Sequence, residues 1–205
     1  IKNSKDSSMW NAISSQIELN SNISLSAGNT GVMFVISRMV LKTIESVSKP
    51  ALAGLWPNEK NMNVVLDLGA NVECDDKNLV DFAEMGAALY KALFPYDSAK
   101  VALLNIGSEE IKGTEILKKA YSQLKEISKH GDFQFDGFIE GNKITHGLSN
   151  VIVTDGFTGN IALKTAEGTV KFITDSLKES LTETLLSKFS ILFSYFALKK
   201  FKAKL

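Results

Sequence analysis

The residues best suited to chemistry in this chain are amides, small hydroxyls and a few cations gathered in and after four glycine-punctuated loops. They read Ser26-Ala27-Gly28-Asn29-Thr30-Gly31, Asp67-Leu68-Gly69-Ala70-Asn71, Asn105-Ile106-Gly107-Ser108-Glu109-Glu110 and Thr154-Asp155-Gly156-Phe157-Thr158-Gly159-Asn160. Backbone N–H groups bared by glycine, asparagine amides and helix N-termini are the donors that hold a phosphate or another oxyanion. No zinc-ligand spacing, Walker loop or Gly-x-Gly-x-x-Gly fingerprint accompanies them. The lone Cys74 sits in no nucleophile motif and is read as structural, and His130 and His146 are read as surface residues. The chemistry on offer is anion binding and electrostatic stabilisation, with no metal and no cofactor expected.

Loops of this kind need elements that bring them to one edge. Each follows a short apolar run, Ile23 to Leu25, Val64 to Leu66, Val101 to Leu104 and Val151 to Val153, and each is followed by a helix-like stretch. Repeated strand, loop and helix units build a parallel sheet whose carboxyl edge gathers the loops. The fold class expected is α/β: a three-layer, Rossmann-like parallel sheet with a mixed edge and a protruding apolar helical hairpin. Helices are expected over Lys5 to Leu19, Val32 to Val47 (a buried one), Leu79 to Phe94 and Glu109 to Ser128. Glu109 and Glu110 then fall in a first turn, where the helix dipole favours negative charge. Trp56-Pro57-Asn58 reads as a turn, Phe133 to Glu140 as a strand, and Asn160 to about Glu183 as a long helix.

The 205 residues suffice for one well-buried domain, so 1–205 is read as a single α/β domain with 160–205 forming the hairpin. Because the chain opens on Ile1, it is read as a piece of a longer product. Zero formal net charge argues against a nucleic-acid binder, which needs a basic excess. A single cysteine fits a reducing, cytoplasmic setting.

Leu181 to Leu205 differs in composition. Between Phe189 and Leu198 only Ser190 and Ser194 are polar, four residues apart and so on one helix face, and Lys199, Lys200, Lys202 and Lys204 follow. Two readings stay open: a helix buried against another, across a dimer interface, or a peripheral membrane contact through 181–205 with lysines at the headgroups. Ten residues are too few to span a bilayer, which takes about 20.

The loops, taken with their neighbours, resemble one family. Lys5-Asp6-Ser7-Ser8-Met9, Ser26 to Gly31, Pro50-Ala51-Leu52-Ala53-Gly54, Leu66 to Asn71, Leu103 to Gly107 continuing through Glu110-Ile111-Lys112-Gly113, and Asp155 to Asn160 continuing to Glu167-Gly168 are similar, in order, to the PlsX family. These are the acyl-carrier-protein:phosphate acyltransferases of bacterial phospholipid synthesis. Lys49 departs from the arginine usual in that family, and Val32 to Val35 from its smaller residues. The family's opening aspartate- and glycine-rich loop and its closing His-Gly strand have no counterpart here.

The resemblance implies that inorganic phosphate attacks the thioester of a fatty acyl chain on acyl carrier protein, giving acyl phosphate and the free thiol. Phosphate is then the nucleophile, and what remains is positioning two substrates and stabilising an oxyanion. The candidate catalytic residues are Lys164, Asn160, Lys112 and Asp155. Ser26, Gly28, Asn29, Thr30 and Gly31 are the candidate phosphate-binding turn, and Asp67, Asn71, Asn105 and Glu109 the candidate substrate contacts. Each has a structural alternative: asparagines as turn formers, lysines as solvated helix residues, aspartates as helix caps. An acidic carrier needs a local basic patch, for which the tail lysines or Lys118, Lys119 and Lys125 are candidates. A homodimer is expected. A coenzyme A-dependent phosphate acetyl- or butyryltransferase, and a non-catalytic phosphate-ligand or membrane-scaffold module, are the rival readings.

Overall fold

The apolar runs Val64–Leu66, Val101–Leu104 and Val151–Val153 are buried along their length, as strands covered on both faces must be. In the computed structural model, which describes residues 4–202, they belong to β2 (Met62–Leu66), β3 (Lys100–Asn105) and β5 (Val151–Val153). With β1 (Gly54–Pro57) and β4 (Gln134–Glu140) they form a five-stranded sheet in the order β1-β2-β5-β3-β4. The pairs β2–β5, β5–β3 and β3–β4 are parallel, and β1 runs antiparallel to β2 at the edge. This is the parallel sheet with a mixed edge that the loops predict.

Two cores lie on its two faces. On one, Leu79, Phe82, Ala83, Ala87 and Tyr90 of α3 (Asp76–Leu93) and Ala120 and Leu124 of α4 (Glu115–Ile127) pack over Val64, Leu66, Val101 and Val153. Their spacing is that of amphipathic helices with one apolar stripe. On the other, Val65, Ala102, Leu104 and Ile152 meet Ile144, Leu52, Trp56 and Leu163. Helix α3 starts at a capping box: Asp75 accepts from Asn78 N at 2.8 Å, and Asn78 Oδ1 accepts from Asp75 N at 3.2 Å.

The structure corrects several expectations. Ile23 to Leu25 is not a strand: it joins no sheet, Ser24 Oγ instead donates to Ala12 O at 2.7 Å, and Ile23 and Leu25 are 81% and 93% exposed. The first helix, α1 (Ser8–Ile17), packs on α2 (Thr30–Val40), which ends seven residues early and buries only Ile36. Lys42 takes a positive φ of 64°, which a continuing helix cannot accommodate. Trp56-Pro57 lies in β1, where an edge strand tolerates a residue lacking an N–H. Glu109 and Glu110 precede α4 rather than opening it, because Gly113 reverses the chain at φ 94° and Thr114 is the cap, accepting from Leu117 N at 3.3 Å.

The long helix begins at Gly156, four residues sooner than expected. It runs as α5 (Gly156–Thr182) and packs on α6 (Leu185–Lys202). Beyond Leu163 none of its residues is buried. On α6, Phe193 and Phe196 are 87% and 81% exposed. No helix among the described residues is long and apolar enough to cross a membrane. The tail's Lys204 lies outside the described residues.

Candidate active site

Three of the four loops do converge. The segment after β2, the segment after β3 and the first turns of α5 enclose a cleft of about 1130 Å³ at the carboxyl edge of the sheet. Small-molecule sites usually occupy about 300–1,000 Å³. Leu79, Leu104 and Leu117 line the cleft with Ile106, Ile116 and Ile161, and its polar groups include Lys49, Asn105, Asp155 and Thr158.

The loop after β2 is organised by Asp67, which is fully buried. Its Oδ1 accepts from the backbone N–H groups of Leu52, Gly69 and Ala70 at 3.1, 3.1 and 2.9 Å. Its Oδ2 accepts from Asn71 N at 2.7 Å and Asn71 Nδ2 at 2.8 Å. Asn71 Nδ2 also donates to Pro50 O at 2.8 Å. Asn160, from α5, donates to Leu68 O at 3.2 Å. These three residues are thus engaged in holding the loop.

Two glycines let α5 start against that loop. A Cβ on Gly156 would strike the carbonyl of Asn71, and one on Gly159 would strike the carbonyl oxygen of Asp67. With Cα hydrogens instead, the helix seats on the backbone, and Gly156 N donates to Asn71 O at 2.8 Å. Asp155 is the cap: it accepts from Thr158 N at 2.8 Å and from Thr158 Oγ1 at 2.7 Å.

After β3, Asn105 Nδ2 donates to Lys112 O at 3.1 Å, and Asn105 Oδ1 is buried with no partner. Lys112 and Glu109 pair at 2.9 Å above Gly107. The hydrogen bond that the Lys112 ammonium donates to Glu109 holds it above the usual lysine range, and the same bond holds Glu109 below the usual carboxylate range. Lys112 is therefore a standing cation, suited to stabilising charge and unsuited to removing a proton. The loop's other end is clasped by Glu110, which accepts from Tyr121 Oη at 2.6 Å and pairs with Lys125 at 3.1 Å. Burial, then the hydrogen bond to Glu110, pushes the Tyr121 phenol up to about 12.

Of the candidate residues only Asn105 and Asp155 line the cleft; Asp67, Asn71, Asn160, Lys112 and Glu109 sit in or against the adjoining loops, and the others stand elsewhere. Ser26 to Gly31 does not line the cleft; Asn29 caps α2, accepting from Val32 N at 3.1 Å, and Ser26 Oγ accepts from Gly28 N at 3.1 Å. Lys164 is exposed on α5 and paired with Glu167 at 2.7 Å. Two of the three lysines of the proposed α4 patch are paired as well, Lys118 with Glu115 at 3.1 Å and Lys125 with Glu110. Cys74 lines the cleft half-buried, its thiol 3.7 Å from Asn71 O and pushed up by burial. Sequence reasoning missed Lys49, Thr158, Ile116 and Leu117 as cleft residues. Thr158 was legible as the partner of an Asp-x-x-Thr cap, whereas the leucine and isoleucine carry no signal beyond helical periodicity. Among the described residues no group of three or more His, Cys, Asp or Glu is placed to hold a metal ion.

The fold is that of the phosphotransacetylases. The EutD phosphotransacetylase from Staphylococcus aureus superposes with a TM-score of 0.56 at 19% identity, over 71% of this chain and 49% of that one. A phosphotransacetylase from Streptococcus pyogenes gives 0.54 at 16% identity over the same shares. At such identities the likeness speaks for architecture alone. The sequence narrows it further: the family model described as "Fatty acid synthesis protein" matches residues 1–205, and the chain belongs to that family, the PlsX family. It is 59% identical over 204 residues to the phosphate acyltransferase of Pelagibacter ubique (strain HTCC1062), and 43% identical over 204 residues to that of Paramagnetospirillum magneticum (strain ATCC 700264 / AMB-1). All of this chain is covered in both, but only 61% and 58% of the relatives; the chain spans about three-fifths of their length.

Proposed function

We propose that this chain is part of a phosphate acyltransferase, in which inorganic phosphate attacks an acyl thioester to release acyl phosphate and a free thiol. The observation that carries the reading is the carboxyl-edge cleft, whose rim combines a helix N-terminus, a hydroxyl and an amide while its walls are aliphatic. The nucleophile is the substrate phosphate, so the protein supplies position and charge. The leaving thiol, with a reference pKa of about 8.5, departs as thiolate. Orientation contributes roughly 7–11 kcal/mol in favourable cases, and one oxyanion donor about 2.7–4 kcal/mol.

In this reading Lys112, kept cationic by Glu109 and next to the cleft residue Gly113, supplies the charge that meets the developing oxyanion, while Asn105 and Thr158, whose Nδ2 and Oγ1 are given to Lys112 O and Asp155, shape the rim. Lys164 is a second cation, with Glu167 as its resting partner. Asp67, Asn71, Asn160 and Asp155 act through the loops they shape. Ser26 to Gly31, at the α2 N-terminus and outside the cleft lining, is the proposed phosphate turn. The thioester donor is acyl carrier protein, the assembly is a dimer, and 181–205 carries the dimer or lipid contact.

A thiol-release assay on the full-length protein, with long-chain acyl-acyl carrier protein and with short acyl-coenzyme A, tests the proposal. Release that requires phosphate and favours the long-chain carrier substrate is the expected result. Phosphate-independent release overturns it, and preference for the short coenzyme A ester assigns the chain to the rival activity. In the same assay Asn29→Ala is expected to raise the phosphate concentration needed; an unchanged requirement removes that turn from the site.

A further inference from the structure

We propose that the cleft holds a linear acyl chain against a floor of Leu79, Leu104 and Leu117, and that Leu117 sets the chain length accepted. The inference rests on the acyl-transfer reading and specifies where the acyl group goes. Its basis is a gradient across the cleft. Leu79 and Leu104 are buried, at 2% and 8% exposure, whereas Ile106 and Ile161 at the mouth are 82% and 50% exposed. The apolar floor comes from α3, the end of β3 and the first turn of α4. The charged groups come from elsewhere, Lys49 and the segment before α3 and Asp155 at the start of α5; Thr158 adds a hydroxyl there, and on the floor side only the α4 cap Thr114 and the amide of Asn105 are polar. A slot with polar groups on one side and leucines beneath fits a ligand with one polar end and an aliphatic remainder. The floor leucines offer no hydrogen bond, so a polar group carried on the chain would be desolvated without compensation.

Leu117 is the adjustable member of the floor. Leu79 belongs wholly to the core of the α3 face, so changing it alters the fold. Leu117 is only half-buried, packing against that core from one side and lining the cleft from the other. A larger side chain there shortens the floor, and a smaller one lengthens it.

The test compares full-length wild type with Leu117→Phe on carrier protein loaded with 16-carbon and 8-carbon acyl groups. The expected result is a roughly tenfold fall in kcat/KM for the long chain and a change within about twofold for the short one. Leu117→Ala, which enlarges the cleft, is expected to move preference from 16 towards 18 carbons and guards against a phenylalanine variant that does not fold. Equal losses on all lengths in a variant with an unchanged thermal midpoint, or no change with either variant, overturns the proposal. Equilibrium binding of free 16-carbon fatty acid separates the two layers. If phosphate-dependent transfer is absent yet Leu117→Phe still weakens that binding about tenfold, the function is wrong and the subsite stands. If transfer is present and fatty acid binding is indifferent to Leu117, the subsite is wrong and the function stands.

Discussion

Helix α5 carries the same substitution at two positions with opposite expected outcomes. At Gly159 a Cβ meets the Asp67 carbonyl oxygen and, at 2.8 Å, Thr154 Cγ2; a backbone oxygen held by the loop cannot step aside as a flexible side chain does. At Gly168 a Cβ meets nothing within 4 Å. Alanine favours a helix over glycine by about 1 kcal/mol at either site. Overpacking costs about 1–3 kcal/mol, and the rigid contact at Gly159 puts it near the upper figure, roughly 3 kcal/mol. Gly159→Ala should therefore lose about 2 kcal/mol net, and Gly168→Ala should gain about 1 kcal/mol. For a chain of this size each kcal/mol moves Tm by about 2–4 °C, so the expected shifts are a fall of about 4–8 °C and a rise of about 2–4 °C. Circular dichroism melts of the two variants decide the matter. Because Asp155 and Thr158 ride on the displaced turn, Gly159→Ala should also lower turnover while Gly168→Ala leaves it unchanged. Shifts of the same sign in both variants would refute the claim that α5 is seated by backbone contact.

Asp67→Asn replaces an acceptor with an amide facing donors on Asn71, and is expected to cost about 1–3 kcal/mol in chemical denaturation; a neutral result would show that the loop holds itself. The Tyr121 phenol, raised to about 12 from its ordinary 10, adds stability that is present below pH 10 and lost as pH rises through 12. Ultraviolet titration should show its late ionisation, and Glu110→Gln should bring it earlier by removing the charge beside it. Lys112→Ala should lower kcat roughly 100-fold, and Lys164→Ala roughly tenfold, with thermal midpoints preserved; near-normal rates would remove either lysine from the mechanism. Phe193→Asp should reduce dimerisation in analytical ultracentrifugation or binding to anionic liposomes, and loss of neither would leave the exposed aromatics of α6 without a role.

The sheet was legible because Val64–Leu66, Val101–Leu104 and Val151–Val153 are unbroken apolar runs ended by Asp or small polar residues, a pattern tied to burial on both faces. Ile23 to Leu25 is poorer in apolar content, with Ser24 at its centre, and has no partner strand; pairing is a property that a local window does not contain. The start of α4 was misplaced because Glu109-Glu110 mimics a charged first turn; the decisive residue was Gly113, whose positive φ is invisible until the chain is folded. The site was half readable. The loops gave the correct edge of the sheet, since glycine and asparagine mark where a chain must turn tightly. They did not separate side chains that hold the loops, such as Asp67 and Asn71, from those that face the cleft. That distinction lies in hydrogen bonds between residues up to 92 positions apart, as Asn160 to Leu68 shows.

The length of α5 has a mechanical consequence. Twenty-seven residues make a rod of roughly 40 Å, anchored to the sheet at its first turns and, beyond Leu163, without a buried residue and packed on α6. Such a cantilever magnifies displacement: tilting it by roughly five degrees at the root swings the free tip by roughly 3–4 Å. The converse is leverage, for a modest force on the tip exerts a large torque on the glycine-lined hinge where Asp155 and Thr158 sit. Whatever grips the far end of that rod holds the mouth of the cleft as well.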